Sequence, residues 1–155
     1  MRIATYKTYR NEDNLCQLVK ENSTNVPLQD INSPQKVVQL LCTLFHANKL
    51  TEEYTWLIAV NAKMKVIGVF EISHGNIACS IISPREIFMR LCACNAYGFM
   101  VAHNHVSGVP VPSKEDVNVT KRLSEAARIM EFQFTDHVVI GTLNDYYSFK
   151  EAGLL

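Results

Sequence analysis

Apolar residues along the chain follow two different periods, which predict a mixture of helices and strands. From Ser33 to Phe45 the apolar positions recur at helical spacing, and Ser33 followed by Pro34 is typical of a helix start. The segments 54–60 and 66–72 are rich in β-branched and aromatic residues and are separated by a short polar turn, which predicts a β-hairpin. We therefore expect the apolar face of the helix to pack against a sheet.

The second half of the chain continues this mixture. Ser83 and Pro84 predict the start of a second helix, which Tyr97 and Gly98 end. The apolar run 98–102 then predicts a strand, and an apolar stripe over 113–130 predicts a third helix. Further short strands are predicted at about 77–82, 134–141 and 146–149.

The predicted elements do not alternate strictly between strand and helix, as they would in a parallel α/β fold. The prediction is therefore an α+β fold with a mixed sheet flanked by helices. Residues 1–32 are polar and rich in turn formers, and they predict an N-terminal arm or extension. Residues 33–155 are expected to form the domain, because a chain of 155 residues can bury the core of one domain.

Composition and charge narrow the class of protein. Apolar residues make up 48% of the chain and charged residues 19%, which is ordinary for a globular protein and argues against disorder. The 15 basic residues balance the 15 acidic ones, so the net charge gives no global signal for nucleic acid or for an anionic membrane. No apolar run reaches the length of a membrane span, and we expect no membrane association.

The cysteines and the N-terminal residues bear on the compartment. The chain has five cysteines, which is an odd number, and none of them forms a C-x-x-C pair. The first residues, MRIATYKTYRNED, have neither the apolar region nor the cleavage site of a signal peptide. We therefore expect reduced thiols and a cytoplasmic protein.

The candidate chemistry lies in residues 103–116, HNHVSGVPVPSKED. If the preceding apolar run is a strand, His103 and His105 lie on one of its faces, where two imidazoles can share a metal ion. A loop rich in glycine and proline follows, and Asp116 then falls in the first turn of the third predicted helix. Two histidines and one carboxylate with an open fourth position are known from catalytic zinc sites.

Each part of this pattern also has a purely structural explanation. A His-x-His pair in an apolar strand is commonly a packing feature, and Ser113 with Asp116 fits a capping box at a helix start. The order of the parts favours a site, since a strand with two histidines, a loop with prolines and a cap with a carboxylate follow one another. The complete spacing is H-x-H-x7-S-x-x-D.

This stretch resembles the JAMM motif of the JAB/MPN metalloprotease-like superfamily, and in detail it resembles the RadC branch. That branch usually has HNHPSG followed by PSxxD, whereas this chain has Val106 where the family usually has proline. The change removes a ring and adds a backbone N–H, so it concerns the loop more than the ligands. The resemblance extends roughly from Ser33 to the C-terminus. It implies the curled mixed sheet of MPN domains, a cytidine-deaminase-like architecture with helices on its flanks.

The resemblance also implies a reaction. One Zn²⁺ per chain would be held by His103, His105 and Asp116, and a zinc-activated water would hydrolyse a peptide or isopeptide bond. A RadC-like Asp-His pair recurs at residues 136–137, which implies a place for His137 near the site, although a satisfied core histidine is the alternative.

A metal-bound water needs a base to take its proton, and a carboxylate is the usual choice. The sequence leaves three candidates, Glu52, Glu53 and Glu71. Matching the hairpin turn and its glycine to RadC sequences implies Glu53, with Glu71 second and Glu52 third. In the family the serine that matches Ser113 is credited with hydrogen-bonding the oxyanion, while the same hydroxyl can serve as the helix N-cap.

The partners follow less directly from the residues. Proteins of the RadC branch are traditionally labelled DNA repair proteins and often carry an extra DNA-binding module, for which we expect no room in 155 residues. We expect a protein or peptide substrate. The alternatives are a non-catalytic MPN interaction scaffold and a DNA-associated factor of a mobile element. A homodimer could form through exposed strand edges.

Overall fold

The computed structural model describes residues 1–75 and 82–155. Within these residues the chain forms seven β-strands in one mixed sheet and three α-helices, which is the predicted α+β fold. The strands are β1 (Arg2–Arg10), β2 (Cys16–Asn25), β3 (Tyr54–Val60), β4 (Val66–His74), β5 (Gly98–Asn104), β6 (Gln133–Ile140) and β7 (Tyr146–Ser148). The helices are α1 (Pro34–Phe45), α2 (Pro84–Ala93) and α3 (Lys114–Ile129).

The order of the sheet places the histidine strand near its centre. The strands follow one another as β2-β1-β4-β3-β5-β6-β7. β3 pairs antiparallel with β4 and β5, whereas β5 and β6 are parallel. Thr55 near the start of β3 lies opposite His103 near the end of β5. The candidate site therefore lies where β3 begins and β5 ends, at one end of these two central strands.

The helices cover both faces of the sheet and bury two apolar clusters. The α1 side includes Trp56 of β3 and Met100 of β5. The opposite side, covered by α2 and α3, includes Leu57 and Val101. Because side chains alternate along a strand, His103 shares the face of Val101 and points to the layer that contains α3.

The predicted helix starts are confirmed, and one helix end is corrected. Ser33 caps α1 through its side chain, and Ser113 caps α3 in a reciprocal capping box. The second helix was expected to continue almost to Tyr97 but ends at Ala93. Its last turn is closed by a Schellman motif, since Asn95 has a φ of 51° and the N–H of Ala96 bonds the oxygen of Leu91.

Residues 1–32, the predicted arm, contain β1 and β2. β1 joins the sheet by parallel pairing with β4, where the ring of Tyr6 stacks on Phe70 at a centroid distance of 5.5 Å. The hydrophobic pattern did not indicate these strands, because most β2 residues are exposed. The domain boundary at residue 32 stays a prediction. The predicted strand near 77–82 falls mainly outside the described residues.

Two features bear on the environment of the protein. In the part of the chain that the structure describes, no helix combines the length and apolar character needed to cross a membrane. Cys16, Cys42, Cys92 and Cys94 are free thiols. Burial raises the pKa of the half-buried thiols of Cys42 and Cys94, which keeps them in the neutral form at neutral pH.

Candidate metal centre

The end of β5 and the start of α3 bring the three predicted metal ligands together. His103 Nε2 lies 3.0 Å from His105 Nε2 and 3.3 Å from Asp116 Oδ1. His105 Nε2 lies 3.6 Å from Asp116 Oδ2. These three side chains form a group that can bind a metal ion.

The separations suit a tetrahedral ion. Ligand atoms at about 2.0–2.1 Å from a tetrahedral Zn²⁺ lie about 3.3 Å from one another. His103 Nε2 lies 3.0 Å from His105 Nε2 and 3.3 Å from Asp116 Oδ1, both close to that value, and one ligand atom from each residue lies within 4.8 Å of the other two. The side chain of His103 is 2% exposed, while those of His105 and Asp116 are each 14% exposed, so the group is open to solvent on one side. The residues present therefore fit the predicted metal.

The hydrogen bond of the second histidine leaves its ligand atom available. His105 Nδ1 lies 2.9 Å from the carbonyl oxygen of Val109. Since a carbonyl oxygen only accepts, the neutral ring of His105 donates through Nδ1 and keeps a lone pair on Nε2. That lone pair points to the group formed with His103 and Asp116.

The first histidine is oriented by a buried relay. Burial above all, and also the neighbouring His103, lowers the pKa of His137 well below its ordinary value, so His137 carries one ring proton. Thr120 Oγ1 donates to the backbone oxygen of Asp116 at 2.6 Å, and it accepts from His137 Nδ1 at 2.6 Å. His137 Nε2 then accepts from His103 Nδ1 at 3.0 Å, which leaves His103 Nε2 free for a metal.

Asp116 is held as a carboxylate. Burial alone would raise the pKa of Asp116, but the His103 and His105 rings, which donate to its carboxylate when their Nε2 atoms are protonated, hold that pKa well below its usual range. Its Oδ2 accepts from the backbone N–H and from the hydroxyl of Ser113, each at 2.7 Å. The Ser113 hydroxyl proton therefore points to the ligand carboxylate, while the same oxygen caps α3 by accepting the N–H of Asp116 at 3.1 Å. The oxyanion role of Ser113 stays a prediction.

Glu53 lies directly before β3, at the same end of the sheet as the candidate ligands. The hydrogen bond to Asp116 raises the pKa of His105, and the negative charge of Glu53 adds to that rise. The carboxylate of Glu53 is therefore near enough to the second histidine to interact with it electrostatically.

The other two candidate bases lie in different surroundings. The Glu52 carboxylate pairs with the ring of His74 and is 47% exposed. Glu71 is opposite Trp56 in the sheet, and Trp56 packs into the cluster on the α1 face. Since His103 lies on the opposite face, this geometry favours Glu53 over Glu71 as the base.

The loop after His105 forms a tight turn without the usual proline. The N–H of Gly108 donates to the carbonyl oxygen of His105 at 3.0 Å, and Gly108 has a φ of 75°. Val106 lies inside this turn, where RadC sequences usually have proline. The hydrogen bond and the glycine therefore fix the turn that presents Val109 to His105.

Two buried polar residues beside the ligands were not recognised in the sequence. Thr120 is 1% exposed and Asn104 is 2% exposed. Thr120 follows Asp116 by four positions and thus shares its face of α3, while Asn104 lies between the two histidines. The spacing of these two residues from the motif could have indicated that they lie near the ligands. Their hydrogen-bond partners could not be predicted, because His137 and the start of β3 are distant in sequence.

A family model described as RadC-like JAB domain matches residues 31–154. The chain belongs to this RadC family. The match includes every helix that the structure describes and all the candidate site residues, whereas β1 and β2 lie before it.

Curated relatives are similar over most of this chain. A UPF0758 protein of Clostridium beijerinckii is 37% identical over 125 residues, which are 81% of this chain and 53% of that protein. A UPF0758 protein of Desulfitobacterium hafniense is 38% identical over 125 residues, 81% of this chain and 54% of that protein. One of Clostridium perfringens is 36% identical over 142 residues, 91% of this chain and 61% of that protein. The chain therefore spans about half the length of the first two relatives.

Proposed function

We propose that this RadC-like domain is a zinc-dependent hydrolase of peptide or isopeptide bonds, with one Zn²⁺ per chain. The proposal depends on one observation, that one ligand atom from each of His103, His105 and Asp116 lies within 4.8 Å of the other two. Zinc with three protein ligands binds a water in its fourth position, lowers the pKa of that water to about 7 and polarises a carbonyl group.

The chain's own residues supply the proton transfers. Glu53 takes the proton of the water and hands it to the leaving amine, which is the role of a general base that becomes a general acid. Ser113 stabilises the oxyanion, for which its hydroxyl has to turn away from Asp116. His137 and Thr120 hold the ring of His103 in the tautomer that binds metal. A protein or peptide substrate and a cytoplasmic location belong to the same proposal.

The test is the zinc content of protein purified without an affinity tag, measured by elemental analysis. We expect close to one zinc per chain in the parent and a large loss in His103→Ala and in Asp116→Ala. His74→Ala is the matched control, since His74 pairs with Glu52 outside the ligand group. Its zinc content should equal that of the parent.

Hydrolysis is then measured on a library of peptides and isopeptide-linked peptides. We expect Glu53→Gln to keep its zinc and to lose at least 100-fold in rate, because the base contributes about 10²–10⁴-fold. Zinc that persists in both ligand variants would contradict the assigned site. A parent that binds no zinc even when zinc is supplied would instead favour the non-catalytic scaffold.

A further inference from the structure

Asn104 joins the strand of the histidines to the segment that carries Glu53. Asn104 is 2% exposed and follows the first ligand directly in the chain. Its Oδ1 accepts the backbone N–H of Tyr54 at 2.8 Å, and its Nδ2 donates to the backbone oxygen of Glu52 at 2.9 Å. One side chain thus binds the backbone on both sides of Glu53.

This contact lies where the backbone pairing of two strands stops. Thr55 and His103 form the last pair between β3 and β5. One position further, the backbone of Asn104 pairs with Ile140 of β6 on its other side. The side-chain amide of Asn104 replaces the missing backbone pair, because a carboxamide offers an acceptor and a donor as a peptide group does.

We propose that Asn104 is a positioning residue for Glu53, which it holds at a fixed place relative to the two histidine ligands. The inference rests on the proposed function, in which Glu53 is the base. The N–H of Gly75 donates to the backbone oxygen of Glu53 at 2.8 Å and supports the same segment from β4. A base displaced by about 1 Å loses much of its effect on rate even when the metal stays bound.

The chemistry of the amide decides which replacements preserve the contact. Leucine has a similar size but neither accepts from Tyr54 nor donates to Glu52. Aspartate keeps the acceptor and loses the donor. Asn104→Leu should therefore release the segment fully, and Asn104→Asp should release only its Glu52 end. Thr120→Val is the control for loss of a buried polar group near the ligands, since Thr120 bonds His137 and Asp116 instead.

The first measurement is hydrogen exchange of the Tyr54 amide, together with zinc content. We expect Asn104→Leu to keep the parent's zinc content and to exchange the Tyr54 amide at least tenfold faster. Thr120→Val should leave that amide unchanged. Loss of zinc in Asn104→Leu, with slow exchange kept, would overturn the inference and assign Asn104 to the support of the ligands.

The second measurement is zinc-dependent hydrolysis of 4-nitrophenyl acetate, an activated ester whose leaving group needs no proton. We expect Asn104→Leu to lower kcat at least tenfold with KM within twofold of the parent, and Asn104→Asp to lower kcat less. Added to Glu53→Gln, Asn104→Leu should lower the rate no further, because residues that act through one another are not additive. A multiplied loss in the double variant would overturn the inference.

The two hypotheses fail in different ways. If Glu53→Gln hydrolyses the ester at the parent's rate, or if zinc does not accelerate the parent, the proposed function is wrong. The hydrogen-exchange rate of the Tyr54 amide would then still test whether Asn104 holds the segment. Unchanged exchange of that amide in Asn104→Leu would show that Asn104 does not hold the segment, whatever the enzyme does.

Discussion

His137 is the residue that most constrains the protonation of the centre. It is fully buried, and both of its ring nitrogens have partners, His103 and Thr120. Its ring also stacks on Phe149, with the centroids 4.9 Å apart. A second ring proton would face the N–H of His103, so the native state requires the neutral form.

We expect His137 to destabilise the metal-free protein at acid pH. Burial above all lowers the pKa of His137 in the folded state, whereas in the unfolded chain it titrates near about 6.5. Below that pH the unfolded state binds more protons, so the free energy of unfolding falls as the pH falls, by up to about 1.4 kcal/mol for each pH unit. His137→Gln does not titrate and should remove this dependence. Urea unfolding at pH 7.5 and 5.5 measures it.

His105 also contributes to the pH dependence of the free energy of unfolding. The hydrogen bond to Asp116 raises the pKa of His105, so its proton stabilises the folded state at low pH and that contribution is lost as the pH rises through the raised value. Its sign is opposite to that of His137. Both proteins retain His105, so its contribution cancels in the difference. Parallel stability curves for the parent and His137→Gln would contradict the prediction.

The elements around the site show which parts of the fold are locally encoded. The predicted strand 98–102 and helix 113–130 correspond to Gly98–Asn104 and Lys114–Ile129, because an apolar run and a capping serine are local signals. β1 and β2 are different, since they depend on pairing with each other and with β4. Their own residues are mostly polar, so no local pattern indicates them.

The candidate site also has features that the local sequence indicates and features that depend on distant residues. The spacing of His103, His105 and Asp116 was readable because strand, loop and helix start follow one another in the chain. The hydrogen bond that orients His103 was not, since its partner His137 lies on another strand. The choice of Glu53 depended on resemblance to a family and not on spacing.

Gly141 lets the end of β6 approach the loop that follows the histidines. A Cβ at Gly141 would lie only 2.3 Å from the backbone oxygen of Gly108. The same loop presents the carbonyl oxygen of Val109 to His105 Nδ1. Gly141→Ala should therefore displace the loop, disturb the orientation of His105 and weaken zinc binding about 10–100-fold. Competition with a chromogenic zinc chelator measures this affinity.

Gly98→Ala is the matched control for this prediction. Its Cβ would lie 2.5 Å from the backbone oxygen of Gln133, at the opposite end of β5 from the ligands. Both variants should lose about 1–3 kcal/mol of unfolding free energy in the metal-free protein, because each clash forces backbone to move. Only Gly141→Ala should also lose zinc affinity. An equal loss of affinity in both variants would mean that general destabilisation is the cause.

On the scale of the whole molecule, the sheet separates the α1 layer from the layer that contains the candidate ligands. Each face of the sheet carries an apolar cluster, and the candidate ligands lie on the face covered by α2 and α3. The family match begins at residue 31, so it covers both faces but not β1 and β2. These strands extend the sheet on the side of β4, away from β5 and its histidines.

The charge of the whole chain predicts weak binding to DNA. Non-specific affinity comes from lysine and arginine contacts to phosphates, and such proteins bind duplex DNA with Kd values of about 10⁻⁴–10⁻⁶ M at physiological salt. Here 15 basic residues are balanced by 15 acidic ones. We expect the zinc-loaded protein to bind a labelled duplex more weakly than about 10⁻⁴ M at physiological salt. Fluorescence anisotropy between 50 and 200 mM salt measures the affinity and its salt dependence.

The salt dependence distinguishes a DNA-associated factor from a hydrolase that does not bind DNA more sharply than the affinity does. If several phosphates are neutralised, the logarithm of the affinity falls steeply with the logarithm of the salt concentration, by about 0.9 for each phosphate contact. A steep slope would require a local basic patch within a neutral molecule and would favour a DNA-associated factor. A flat slope, together with zinc-dependent hydrolysis of a peptide bond, would place the function of this RadC-like domain in its metal centre.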